Sequence, residues 1–388
     1  MNFTMRASVA AGVLMLASSA SWADVKIGFM ATLSGPAAAL GQDQYDGFML
    51  ALEQKGGKLG GETITLVKED DQLKPDLGVQ LVQKLIEKDK VQLITGLTFS
   101  NVMMAVAKPL GDVNMPFVSS NAGPAPLAGK QCMPNLFFSS WQNDNLSEVL
   151  GKYANDKGYK KVVALAPNYQ AGRDSVTGFK RYFKPALAAE IYTQLNQPDY
   201  SAELAQLQAQ SPDAVFVFYP GGMGINFVKQ MNQAGLLAKI PLLSVAAADG
   251  TTLPALKDMA LGVAMGAHWG PDFDNALNRE FTAAFEKRYG RIPSQYAAQS
   301  YDAALVIDSA LRKTGGKATD KAALNAALKA TNIATTRGPL RFNHNGFPIQ
   351  DMHVFQVAKD GQGRVSLKTV ATPLKAHGDA YANECTNH

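Results

Sequence analysis

The chain has 388 residues, 46% of them hydrophobic and 18% charged, with a formal net charge of +4 at pH 7. This is the balance of a globular chain rather than a disordered one, and the length suits two domains. Lys and Arg are scattered among acids instead of clustered, which argues against nucleic acid as a partner.

Residues 1–23 read as a secretory signal peptide: Arg6, then an apolar run through Val9, Val13, Leu14, Met15 and Leu16, then small residues ending Ser21-Trp22-Ala23. The run is short for a bilayer span, and no stop-transfer pattern follows it. The expectation is a soluble, exported, periplasmic protein whose mature chain starts at Asp24. No later stretch reaches the ~18 apolar residues of a transmembrane helix.

From Asp24 onward, short β-like runs alternate with amphipathic helical ones. Strands are expected at 25–29, 63–68, 91–95 and 115–119, with helices at 45–54, 75–88 and 101–110. The last strand runs into an uncharged turn, Val118 to Gly129 (VSSNAGPAPLAG), the kind of place where α/β proteins hold ligands. The alternation restarts with strands at 161–166, 191–195, 214–219, 241–245 and 262–267 and helices at 175–187, 200–210 and 224–234. Long helical runs follow at 278–313 and 321–329. The C-terminal part reads as an antiparallel hairpin, 353–357 and 365–370 around 361–363, with a further short strand at 340–342. Two βα blocks with late helices imply parallel βαβ units in two lobes, with several chain crossings.

Catalytic signatures are missing: there is no G-x-S-x-G, H-E-x-x-H, C-x-x-C or phosphate loop. His268, His344, His353, His377 and His388 have no metal-ligand spacing. His268 beside Trp269 reads as a packed histidine or a ligand contact. Pro220-Gly221-Gly222-Met223-Gly224 echoes a dinucleotide loop, but Phe227 stands where its third glycine would be. The chain therefore reads as a binder, not an enzyme, with no metal or cofactor. Cys132 and Cys385 are the only cysteines. In an exported chain the pair reads first as a disulfide tying the C-terminal tail to the segment after the polar turn, two free thiols being the alternative.

Lys26-Ile27-Gly28, Leu33-Ser34-Gly35-Pro36, Gly41, Gly47, Ile94-Thr95-Gly96 with Ser100, Pro116 through Leu127, Tyr169 with Gly172, Phe218 to Gly222, and Arg337 to Phe342 occur in an order that resembles periplasmic substrate-binding proteins of the branched-chain amino-acid (Leu/Ile/Val) type. The resemblance covers nearly the whole mature chain. It implies a type I periplasmic-binding fold: α/β, two doubly wound parallel-sheet lobes joined by three crossings, with the ligand in the cleft and an ABC-transporter permease as partner. The expected boundaries are 24–140 plus 271–336 for lobe I and 141–270 plus 337–372 for lobe II. The tail, 373–388, would return to lobe I. Crossings are expected near 139–142, 269–272 and 337–342, and the protein is expected to be a monomer.

In that family the segments matching Phe99-Ser100 and Asn121-Ala122-Gly123 grip a ligand carboxylate. Ser100 precedes a helical run, where Ser is a good N-cap and the following N–H groups are unpaired. Ser100 Oγ and the N–H groups near Ala122 and Gly123 would then solvate an acid without Arg or Lys. The bland alternative is that the serines only satisfy a turn. Asp249 falls where amino-acid binders place the partner of an ammonium. It would equally suit a phenolic hydroxyl, or a cap for the run from Thr251. Leu40 stands where those binders often carry an aromatic. Ser120 to Pro124, Gly129 to Cys132, Phe138 to Asp144 and Asp249 to Leu253 look like the branch that takes up aromatic acids. Tyr169, Tyr219, Phe99 and Trp141 are the candidates for covering a ring. The expected ligand is a benzoate- or hydroxycinnamate-like acid. The alternatives are an apolar amino acid for the same type of importer, and a ligand-sensing role beside a separate receptor.

Overall fold

The computed structural model describes residues 24–386, so the expected signal peptide lies outside the described residues. The first half of the chain forms a six-stranded sheet: β1 Val25–Ala31, β2 Lys58–Leu59, β3 Glu62–Asp70, β4 Leu93–Gly96, β5 Phe117–Ser119 and β6 Leu136–Phe138. Their order is β2-β3-β1-β4-β5-β6, parallel except for the β2–β3 hairpin. β4, β5 and β6 are buried on both faces, which is why they read as continuous short runs rather than alternating ones. Helices α1 Ala38–Gln54, α2 Pro75–Glu87, α3 Ser100–Asp112 and α4 Ala125–Ala128 connect them.

The second sheet contains β7 Val162–Pro167, β8 Ala189–Thr193, β9 Ala214–Phe218, β10 Leu242–Val245, β11 Ala264–Ala267, β12 Asn332–Thr335, β13 Gly338–Phe342, β14 Pro348–Lys359 and β15 Val365–His377. β8-β7-β9-β10-β11 run parallel, and β14 closes that edge antiparallel to β11. β14 and β15 form the expected C-terminal hairpin. The helices of this half are α5 Asn145–Asp156, α6 Gln170–Tyr182, α7 Ser201–Gln210, α8 Gly222–Gln233 and the short α9 Leu253–Leu256. The result is a two-lobe α/β protein with parallel-dominated sheets.

The run expected as one helix over 278–313 is two: α10 Ala276–Tyr289 and α11 Gln295–Lys313, before α12 Lys321–Lys329. Gly290 ends α10 in the left-handed region (φ 70°), its N–H bonded to Glu286 O. Pro293 follows, and Ser294 caps α11, its Oγ accepting from the N–H groups of Tyr296 and Ala297. Apolar periodicity continues across the break, so spacing alone does not reveal it. α11 lies against α1, and Gly47 makes the close approach possible: a Cβ there would sit 2.0 Å from Ala297 O.

After β6 the chain leaves the first sheet through 139–144 into α5, which packs on α6 and the second sheet. It returns through 268–275 to α10. Arg337, between β12 and β13, is bonded to the first of these segments and paired with α11. Its side chain, 2% exposed, donates from Nη1 to Ser140 O (3.1 Å) and from Nη2 to Ser139 O, with Asp302 Oδ2 3.4 Å from Nε. Gln350 Nε2 also donates to Ser140 O, at 2.7 Å. Cys132 and Cys385 are disulfide-bonded, with Cα atoms 5.6 Å apart, so the tail after β15 is tied to the loop after α4. No described helix is long and apolar enough to cross a membrane.

Candidate ligand cavity

The carboxyl ends of the parallel strands in both sheets converge on a largely closed cavity with about 30 Å³ of free space. It lies in the position expected for ligand sites of open α/β sheets. The first lobe contributes Leu40, Thr98, Phe99, Ser100, Asn121, Ala122, Gln295 and Tyr296 to its walls. From the second come Leu146, Tyr169, Ala171, Ser175, Phe218, Pro220, Val245 and Ala246, with Trp141 and Asn143 on the segment between them. Among the described residues, no Lys, Arg, Asp or Glu lines it.

Ser100 is the first residue of α3 and not its cap, a position taken by extended Phe99 (φ −119°, ψ 140°) with no side-chain capping bond. The difference matters chemically, because Ser100 Oγ is not used up inside the helix. It accepts from Asn143 Nδ2 at 3.0 Å, which leaves its own proton to donate. The first N–H of this turn bonded to backbone is that of Met103, to Phe99 O; those of Ser100, Asn101 and Val102 have no acceptor among the described residues. A buried hydroxyl and an open helix N-terminus thus meet at one wall, which favours an anion.

The N–H groups expected to join them are occupied. That of Ala122 donates to Leu97 O (3.1 Å) and that of Gly123 to Asn143 Oδ1 (3.3 Å). Gly123 does not line the cavity; it is glycine because a Cβ would stand 2.0 Å from Trp141 O. Asn121 braces the wall, donating to Thr98 O at 2.5 Å and accepting from Gln299 Nε2 at 2.8 Å. Asn143 is held in turn by Asp174 Oδ2 at 2.8 Å. Asp174 also accepts from Ala125 N–H and from Gln170 Nε2, and burial raises its carboxyl pKa.

Aromatic rings form much of the remaining wall. Phe99 and Tyr169 have centroids 6.1 Å apart, Tyr169 and Phe218 6.2 Å, and Trp141 and Tyr296 6.4 Å. Burial pushes the Tyr169 phenol up, with Asp174 adding to the effect, so it stays neutral. Tyr219 is not among these rings. It is fully buried in the second lobe's core, 5.0 Å from Tyr200 and 5.1 Å from Phe227, with its hydroxyl 3.2 Å from Thr193 Oγ1. Phe218 and Pro220 take the cavity positions on either side, since successive residues leaving a strand face opposite ways.

Asp249 does not line the cavity either. Its Oδ1 accepts from Thr251 N–H (2.8 Å) and Thr251 Oγ1 (2.7 Å), capping its own turn. Oδ2 has no hydrogen bond among the described residues, although the Tyr296 hydroxyl lies near enough to favour its ionised form. Burial dominates, and the carboxyl pKa is raised to about 6. Sequence reasoning missed Asn143, Ser175, Gln295 and Tyr296. Asn143 stood inside a segment already singled out, whereas Gln295 and Tyr296 were hidden by the unseen break before α11. His268 is buried with its ring 5.0 Å from Trp141, and burial holds its pKa well below the usual value.

Two α/β lobes closing on a cavity walled by neutral donors and rings define a binding protein for a small organic ligand. The chain belongs to the periplasmic binding protein family, which matches residues 24–362. A Leu/Ile/Val-binding protein homolog 6 of Brucella melitensis biotype 1 is 31% identical over 387 residues, covering 96% of this chain and 97% of its own. Among solved structures, an ABC-transporter solute-binding protein from R. palustris in complex with benzoate is 30% identical with TM-score 0.88, covering 94% of this chain and all of its own. One from Rhodopseudomonas palustris BisB5 in complex with 3,4-dihydroxy benzoic acid is 29% identical with TM-score 0.87, covering 92% and 99%. A leucine-binding protein from Thermotoga maritima MSB8, 21% identical with TM-score 0.80 over 90% and 99%, shares the fold.

Proposed function

We propose that this protein binds a small aromatic carboxylate, benzoate- or hydroxycinnamate-like, and delivers it to an ABC importer by closure of its cleft. One observation carries the preference over an amino acid: donors for an acid group line the cavity, but no carboxylate does that would pair with an ammonium. Ser100 and the first turn of α3 would hold the carboxylate, with Phe99, Tyr169, Phe218 and Trp141 around the ring. Each aromatic contact is worth about 0.5–1.5 kcal/mol beyond area burial. Together with one solvated charge, that reaches the roughly −8 kcal/mol of a micromolar complex. The lobes would divide near 140, 270 and 337, where Arg337 links the crossings, and the protein would act as a monomer in the periplasm.

The amino-acid reading is favoured by the names of the sequence relatives and by Asp249 standing close behind Tyr296. A thermal-shift panel separates the two. It would set benzoate, 4-hydroxybenzoate, cinnamate and 4-hydroxycinnamate beside leucine, isoleucine, valine and phenylalanine. A ligand at 100 times its Kd adds about 2.7 kcal/mol of stability, enough to read. Shifts with the aromatic acids alone support the proposal. Shifts with the amino acids alone overturn it and recast Asp249 as an ammonium partner.

A further inference from the structure

Five glutamines are buried among the described residues: Gln44, Gln142, Gln295, Gln299 and Gln350. Four use at least one amide atom in a hydrogen bond to the protein. Gln295 is 2% exposed, and neither its Oε1 nor its Nε2 has a partner. The Tyr296 hydroxyl is near enough to offer Gln295 a weak hydrogen-bonding interaction, which favours the ionised phenol, but the geometry is too poor to satisfy the amide. A buried amide left poorly paired is costly, and the cost is recovered when something enters to pair it.

Gln295 also has a particular place. As the first residue of α11, just after the Ser294 cap, its backbone is fixed, and the residue lines the cavity. Gln295 also borders a second hollow of about 420 Å³ lined by Asp249, Trp269 and Ile292. Ser100 and Asn143 lead instead through Asp174 and Gln170 to a surface groove that shares no lining residue with that hollow. Ser100 begins α3 and Gln295 begins α11, so the carboxylate donors and the amide come to the cavity from different elements. Ser175 Oγ, from the opposite lobe, is a second cavity-lining polar atom that is buried and unpaired.

We infer that Gln295 is a specificity-determining residue that selects aromatic acids bearing ring hydroxyls over the unsubstituted acid. The inference rests on the aromatic-acid reading above. A phenolic hydroxyl donates to Oε1 or accepts from Nε2, and two adjacent hydroxyls satisfy both atoms at once. Benzoate offers neither and leaves the amide stranded. A site built to meet a hydroxyl discriminates strongly against the analogue that lacks it.

The test is calorimetric titration of benzoate, 4-hydroxybenzoate and 3,4-dihydroxybenzoate into the wild type, Q295L and Q295M. The wild type is expected to favour the hydroxylated acids by about 10–100-fold. In both variants that preference should fall to within about threefold. A wild type that binds benzoate as tightly as the hydroxylated acids overturns the inference and leaves the aromatic-acid reading standing. Equal weakening of all three acids in Q295L and Q295M likewise overturns it, since the side chain then acts only through packing. Binding of none of the three to the wild type overturns both readings. The wild-type series can overturn the inference even if a variant fails to fold.

Discussion

Ser100→Ala removes a buried side-chain hydroxyl at the α3 end of the cavity that is held by a neighbour, Asn143 Nδ2 at 3.0 Å. No Lys or Arg lines this cavity, so a bound carboxylate would depend on neutral donors, and each lost donor should count. A hydrogen bond to a charged group contributes about 1.5–3 kcal/mol. At about 1.4 kcal/mol per decade, that predicts a Kd for benzoate-type acids raised roughly 10–150-fold. The loss should stay within that bound because the first-turn N–H groups of α3 remain. Asn143 also loses an acceptor, but it keeps Asp174 and should not swing away. Calorimetry on wild type and S100A, with the acid and its neutral methyl ester, separates the charge effect from packing. The acid should weaken much more than the ester. Unchanged affinity for the acid in a natively folded S100A would refute the carboxylate assignment, as would equal losses for acid and ester.

Arg337→Met should destabilise the fold by about 3–5 kcal/mol in urea unfolding, because it leaves Asp302 buried without its cation and strips the donors from Ser139 and Ser140 carbonyls. A loss under about 1 kcal/mol would mean that the crossings do not depend on this residue. Asp249→Asn tests the buried acid. Its folded pKa, about 6, lies above the ordinary value, so the native state binds the proton more tightly and stability falls as pH climbs from about 4 through 6. The Asn variant should lack that fall and gain up to about 3 kcal/mol on the wild type at pH 7.5, with little change at pH 4; parallel pH profiles would show that the carboxyl is not buried as described. Replacing Cys132 and Cys385 by Ser should cost up to about 5 kcal/mol in the chain-entropy model, the loop spanning 253 residues. Saturating ligand should compact the protein in solution scattering, and superimposable curves would count against hinge closure.

Much of this protein was legible in one dimension. Strand and helix alternation announces parallel βαβ units because each unit must cover both faces of a buried sheet, and that in turn places the site at the strands' carboxyl ends. The uncharged turn after β5, the run after Phe99, Trp141, Tyr169 and the paired cysteines were all visible as sequence. Which atoms remain free to meet a ligand was not. The N–H groups of Ala122 and Gly123 look available until Leu97 and Asn143 are found to hold them. Tyr219 and Phe218 are equally good ring donors on paper, and only the packing of Tyr219 against Tyr200 and Phe227 turns Phe218 toward the cavity. The break at Gly290–Ser294 brings Gln295 and Tyr296 to the cleft, though apolar spacing runs through it unchanged. Local pattern reports which face of an element is apolar. The pairing of each polar atom is decided by residues far away in the chain, and so belongs to the tertiary structure alone.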